Sequence, residues 1–127
     1  MRHLKLKILE GQFSIHKLSI NDMIPYEVYQ SDFYSIVKTD DELSIVCDSS
    51  IPFQTEKSNS GWTCIKVIGP LDFSLTGILS EISAVLANSK ISIFTVSTYA
   101  TDYILVEISN IINAKQALIA AGYTFVD

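Results

Sequence analysis

The sequence predicts an α+β fold, and three observations predict it. Residues 3–8 and 62–68 alternate side chains with the period of a strand, residues 74–88 repeat apolar side chains with the period of a helix, and polar turns separate short runs rich in β-branched and aromatic residues. With 127 residues, 48% of them apolar, the chain has ample material for a core in one compact domain or in two very small ones.

From the N-terminus, Leu4, Leu6 and Ile8 face one way and His3, Lys5 and Lys7 the other, until Glu10-Gly11 interrupts the strand. A second strand follows near residues 12–17. Pro25 opens a short helix within residues 23–30, of barely one or two turns. Residues 33–38 and 43–47 are strands, and Thr39-Asp40-Asp41-Glu42 between them is a hairpin loop, so their pairing is antiparallel. Residues 49–52 read as a vestigial turn. The segment Glu56–Gly61 is the most loop-like in the chain, although a short edge strand can also end there, and it marks the expected boundary between a first domain, residues 1–61, and a second, residues 62–127.

Trp62–Ile68 is a strand stopped by Gly69-Pro70. Leu75, Ile78, Leu79, Ile82, Val85 and Leu86 then form a helical stripe suited to covering a sheet face, with Asp72 or Ser74 as the N-cap. Strands at residues 91–98 and 103–108 make a hairpin. Ser109 or Asn110 caps a last helix, Gly122 ends it at positive φ, and residues 123–126 close the sheet. The second half thus reads strand, helix, strand, strand, helix, strand, the ferredoxin-like split βαβ order. Its first half reads as a degenerate copy with both helices shortened.

Charge and motif content narrow the function. The net charge is -5 and the nine Lys and Arg residues are scattered, which argues against nucleic acid and against an anionic membrane. Neither a run of roughly 20 apolar residues nor a signal peptide is present, so a cytoplasmic protein is expected. Cys47 and Cys64 fall inside expected strands and are read as reduced and buried. There is no Cys-x-x-Cys, no paired histidine, no phosphate-binding glycine motif and no histidine placed beside a serine or cysteine with a carboxylate. No enzyme, no metal site and no cofactor is therefore expected. Asp40-Asp41-Glu42 is a solvated loop, because consecutive carboxylates splay apart.

Four blocks carry a family resemblance: residues 41–47, Gly61-Trp62, residues 69–79 and residues 97–106. Together they resemble the small bacterial tandem ACT-domain proteins and, more distantly, the ACT domains of the eukaryotic cytosolic arginine sensor. The resemblance implies two ACT folds side by side, amino-acid binding without catalysis, and a homodimer that joins the sheets of neighbouring domains. It also implies a ligand site formed by Ser74, Leu75, Thr76, Gly77 and Ile78 on one side and Thr98, Tyr99 and Asp102 on the other. Where the arginine pocket has an acidic side chain beside the glycine, this chain has Leu75 and Thr76, so arginine is left open.

These residue types suit a zwitterion. A helix starting near Ser74 offers unpaired amides to a carboxylate. Gly77 removes a Cβ from the ligand's path, Asp102 accepts from an ammonium, and Thr98 adds a hydroxyl. Structural readings compete at each position: Asp72 and Ser74 as caps, Gly77 as a close-packing contact inside the helix, Tyr99 as a sheet contact, Asp102 as a hairpin residue. Two functions follow, an amino-acid-responsive regulatory module acting on an unidentified protein partner, and an assembly module whose pocket is empty.

Overall fold

A computed structural model describes residues 4–55, 57–69 and 77–127. Its elements begin with β1 (Lys5–Ile8), β2 (Phe13–Leu18), α1 (Tyr26–Tyr29), β3 (Ser35–Lys38), β4 (Leu43–Asp48) and β5 (Ser58–Val67). They continue with α2 (Ile78–Asn88), β6 (Ile93–Ser97), β7 (Asp102–Glu107), a 3-10 turn (Ile108–Asn110), α3 (Ile111–Ala120) and β8 (Thr124–Val126). The fold is mixed α+β, with eight strands among the described residues. Two compact units can be separated, an N-terminal unit of Gly11–Trp62 and a C-terminal unit comprising the described parts of Met1–Glu10 and Thr63–Asp127.

The N-terminal unit orders its strands β3-β4-β2-β5. Every pairing is antiparallel. Numbered within the unit this is 2-3-1-4, the split βαβ order with helices shortened: α1 has only four residues, buries Val28, and begins after Pro25, whose φ of -54° suits that position. In place of a second helix the chain makes a turn in which the Asp48 carboxylate accepts from the Ser50 amide at 2.8 Å. Leu18, Val28, Leu43, Ile45 and Cys47 form the core.

The loop-like segment Glu56–Gly61, in which a short strand was expected to end, instead contains the start of β5, which runs ten residues without a break at Gly61. Phe13 pairs with Trp62 and Ile15 with Asn59, so β5 carries one extra residue, and Gly61 in this stretch stands at φ +86°. A glycine in the left-handed region is what lets a strand absorb such a bulge, and the polar, glycine-containing composition that resembles a loop is that of a bulged strand.

In the C-terminal unit the order is β8-β1-β5-β7-β6. Here β1 pairs antiparallel with β5, Leu6 opposite Val67, and parallel with β8, Leu6 opposite Phe125. The expected split order is therefore widened by one strand, and β1, which the division at Gly61 assigns to the first half, is paired in this unit. Its apolar face explains the placement, since Leu6 is fully buried beside Ile65, Val67, Ile82 and Leu86, with Leu4 and Ile8 packed against the same cluster. The stripe of α2 is as expected in kind: Ile78, Ile82 and Leu86 are buried. Each such side chain contributes about 1.5–3 kcal/mol relative to exposure. Helix α3 adds Ala114 and Leu118. Asn110 precedes α3 without a side-chain cap bond, and the 3-10 turn before it takes the place of the expected cap. Gly122 ends the helix at φ +104°, as its position predicts. Cys47 and Cys64 are free thiols and buried.

Candidate functional site

The candidate site lies in the C-terminal unit where β5 ends, α2 begins and β6 turns into β7. A chain that runs up β5, returns down α2 and climbs again through β6 brings the β6–β7 turn to the end of β5 at which the path to α2 starts. A hydrogen bond fixes this arrangement: Thr101, 5% exposed, donates its hydroxyl to the Val67 carbonyl at 2.7 Å.

The turn is built from threonine. The Thr98 amide donates to the Thr101 carbonyl at 2.8 Å, the Thr98 hydroxyl donates to the same carbonyl at 3.1 Å, and the Thr101 amide donates to the Thr98 hydroxyl at 3.2 Å. Tyr99-Ala100 is thereby held as a two-residue loop, with Tyr99 85% exposed. Asp102 opens β7 opposite Ser97, whose hydroxyl donates to its Oδ1 at 2.6 Å. A carboxylate has about four lone-pair sites, so Asp102 keeps acceptor capacity for a cation.

On the other side, Gly77 is the N-cap of α2 at φ +79°, and its carbonyl accepts the first helical bond from the Glu81 amide at 2.8 Å. Two sequence expectations are corrected by this. The glycine is not inside the helix, and the cap position belongs to Gly77, not to Asp72 or Ser74. The left-handed backbone there explains the glycine without any ligand, since other residues pay about 1–2 kcal/mol to adopt it. The Ile78 side chain is 4% exposed and belongs to the core cluster, and its amide stands in the first turn of α2. Asp72, Ser74, Leu75 and Thr76 lie outside the described residues.

The structure therefore places Thr98, Tyr99 and Asp102 in one hydrogen-bonded hairpin at the end of β5. The Thr98 hydroxyl is engaged within the turn and keeps a further lone pair. Thr101 and Ser97, the residues that set the turn and Asp102, were not singled out in the sequence. Hydropathy carries no signal for a buried threonine hydroxyl; the pairing of Ser97 with Asp102 was accessible only from the hairpin register. Among the described residues no group of three or more histidine, cysteine or acidic side chains is arranged to hold a metal, and no helix is long and apolar enough to cross a membrane.

Comparison with known proteins gives the family. An ACT-domain model matches residues 57–120, half of the chain, and a second model, of an N-terminal domain, matches residues 11–53. This chain belongs to the ACT-domain family. A crystal structure of a protein from Agobacterium tumefaciens is 37% identical with a TM-score of 0.89, over 99% of this chain and 94% of that one. The alpha and beta subunits of an aspartokinase share the fold at 14% identity and a TM-score of 0.65, over 94% of this chain and 98% of that one. An aspartate kinase from Clostridium acetobutylicum, described as an allosteric enzyme, shares it at 13% identity and a TM-score of 0.66; 88% of this chain is covered but only 33% of the kinase. No curated protein sequence matches this chain.

Proposed function

We propose that this protein is a non-enzymatic regulatory module that binds a free amino acid at the end of β5 in its C-terminal unit. Asp102 and the first-turn amides of α2 at Gly77 and Ile78 hold the ligand's two charges, with Tyr99 above them and Ser74, Leu75 and Thr76 completing the wall. The observation that carries this reading is the Thr101–Val67 bond, which seats the acidic hairpin beside the path to the helix N-terminus. Membership of the ACT-domain family supports a regulatory role, and the aspartate kinase described as allosteric is a fold relative in which regulation accompanies catalysis. We also propose that two copies form a homodimer, that the protein acts in the cytoplasm, and that the N-terminal unit is a second, reduced ACT domain.

A thermal-shift screen of the common amino acids at millimolar concentration tests the function. A ligand at 100 times its Kd adds about 2.7 kcal/mol, so at least one should raise the melting temperature, and Asp102→Ala should abolish that rise while leaving the unliganded transition in place. Light scattering that returns a monomer mass at every concentration would remove the dimer. A second reading, an assembly module with an empty pocket, is favoured by the internal use of Thr98 and by the Ser97 bond to Asp102; it wins if no amino acid shifts the transition.

A further inference from the structure

The exposed apolar side chains are unevenly spread along the chain. Of the eight large ones among the described residues, five, Met23, Tyr26, Tyr29, Tyr34 and Val37, fall within residues 23–37. The charges of the same stretch have one sign: between Lys17 and Lys38 stand three exposed acidic residues, Asp22, Glu27 and Asp32, and no Lys, Arg or His. Apolar side chains gathered on a surface mark a contact face, and the one-signed charge around them selects a basic partner.

Two anchored residues turn the tyrosines outward. Val28 is fully buried, and Tyr26 and Tyr29, three residues apart on the same short helix, are left exposed. The end of α1 is closed by Ser31, whose amide donates to the Val28 carbonyl at 3.1 Å and whose hydroxyl donates to the Glu27 carbonyl at 3.2 Å. Phe33 then packs edge-on against buried Phe13, ring centroids 5.6 Å apart. The next residue, Tyr34, meets Tyr29 at 6.0 Å between centroids and 84° between planes, the two side chains being 37% and 50% exposed. Two aromatic faces at a near right angle make an open corner, and each face is the electron-rich side of its ring. Such a corner attracts a cation, and the exposed carboxylates of Glu27 and Asp32 add to the attraction.

We propose that this corner of the N-terminal unit is the docking site for an arginine-bearing, otherwise apolar peptide segment of a partner protein. Arginine fits better than lysine because its guanidinium is planar, stacks on aromatic rings and is more weakly hydrated than an ammonium. Apolar side chains flanking the arginine cover Tyr26 and Met23, which both line a groove of about 630 Å³. The acidic surroundings repel nucleic acid and anionic lipid. The surface does not depend on an amino acid bound near Asp102.

Fluorescence anisotropy of the full chain with a labelled peptide of repeated Leu-Arg-Pro tests it, beside the same peptide with Lys or with Glu in place of Arg. The arginine peptide should bind saturably below millimolar concentration, the lysine peptide about threefold or more weakly, and the glutamate peptide not at all. Tyr29→Ala and Tyr34→Ala should each weaken the arginine peptide by about threefold or more, whereas Tyr34→Phe, which keeps the ring, should bind it as the unsubstituted chain does. Glu27→Gln/Asp32→Asn should weaken binding and reduce its dependence on salt. A Tyr29→Ala/Tyr34→Ala variant that binds the arginine peptide unchanged, equal binding of the arginine and glutamate peptides, or no saturable signal up to millimolar peptide overturns the proposal. Self-association abolished by that double variant, with no peptide binding in the unsubstituted chain, would give this face to a second copy and overturn it too. Asp102→Ala should leave peptide binding unchanged; loss of binding in that variant would move the contact to the β6–β7 turn and remove this site.

Discussion

The Thr101 hydroxyl and the Val67 carbonyl meet at 2.7 Å in a buried position, and that bond, beside the pairing of β7 with β5, ties the β6–β7 turn to the end of β5. Replacing the hydroxyl by a methyl group of similar shape, as in Thr101→Val, leaves a buried carbonyl without this partner. An unpaired buried acceptor costs about 1–3 kcal/mol, so the unfolding free energy read from urea denaturation should fall by that amount. Thr101→Ser keeps the donor and should lose only the packing of one methyl group, about 0.8 kcal/mol. If the turn seats a ligand as proposed, Thr101→Val should also weaken amino-acid binding more than its stability cost alone predicts at saturating protein fold, while Thr101→Ser should not.

Gly77→Ala separates two accounts of that glycine by sign. A glycine inside a helix costs about 1 kcal/mol relative to alanine, so the substitution would stabilise the chain there. At φ +79°, outside the helix as its N-cap, alanine must adopt the left-handed region at a cost of about 1–2 kcal/mol. The expected outcome is destabilisation, read from equilibrium denaturation.

Both thiols should be inert in the folded chain. Burial pushes the Cys64 thiol up to about 12, and burial together with the neighbouring Asp48 charge pushes Cys47 up to about 11. The thiolate is the reactive form, so at pH 8 a disulfide-exchange reagent should label neither residue in the native protein and both on addition of denaturant. Rapid labelling of either cysteine without denaturant would show that its strand opens locally.

Much of the architecture was legible because periodicity reports burial. The alternation of Leu4, Leu6 and Ile8 and the spacing of Ile78, Ile82 and Leu86 each name one apolar face, and each face is in the core. What the pattern does not report is which sheet a face joins: β1 looks the same whether it pairs early or late in the chain, and its insertion between β8 and β5 depends on long-range pairing. Backbone conformation was also hidden. Gly61 and Gly77 read as a loop residue and a helix residue, yet both are at positive φ, one in a bulged strand and one capping a helix. Of the candidate site, the hairpin residues Thr98, Tyr99 and Asp102 could be placed together from sequence order, whereas the hydroxyls that position them could not, since Thr101 and Ser97 resemble ordinary turn and strand residues until the register is known.

His16 should make stability depend on pH below neutrality. Its ring is 6% exposed, Nδ1 lies 2.7 Å from the Ser58 hydroxyl, and Nε2 is buried with no hydrogen-bond partner among the described residues. Charging the ring would place a full charge in this buried position, and burial accordingly lowers its pKa from the ordinary 6.5. Between the folded value and 6.5 the unfolded chain binds the proton and the folded one does not, so stability rises with pH across that window. The histidine's contribution is fully present above pH 6.5, declines as the pH falls below it, and levels off under the folded pKa. Urea denaturation at intervals from pH 7.5 downward should show this slope in the unsubstituted chain, and His16→Asn, which cannot titrate, should flatten it over the same interval. Asp48, whose carboxyl is held below its ordinary 3.8 by the Ser50 hydroxyl and amide, loses its contribution only at more acidic pH. The two effects therefore separate along the pH axis, and an unchanged slope in His16→Asn would assign the dependence near pH 6 to some other group.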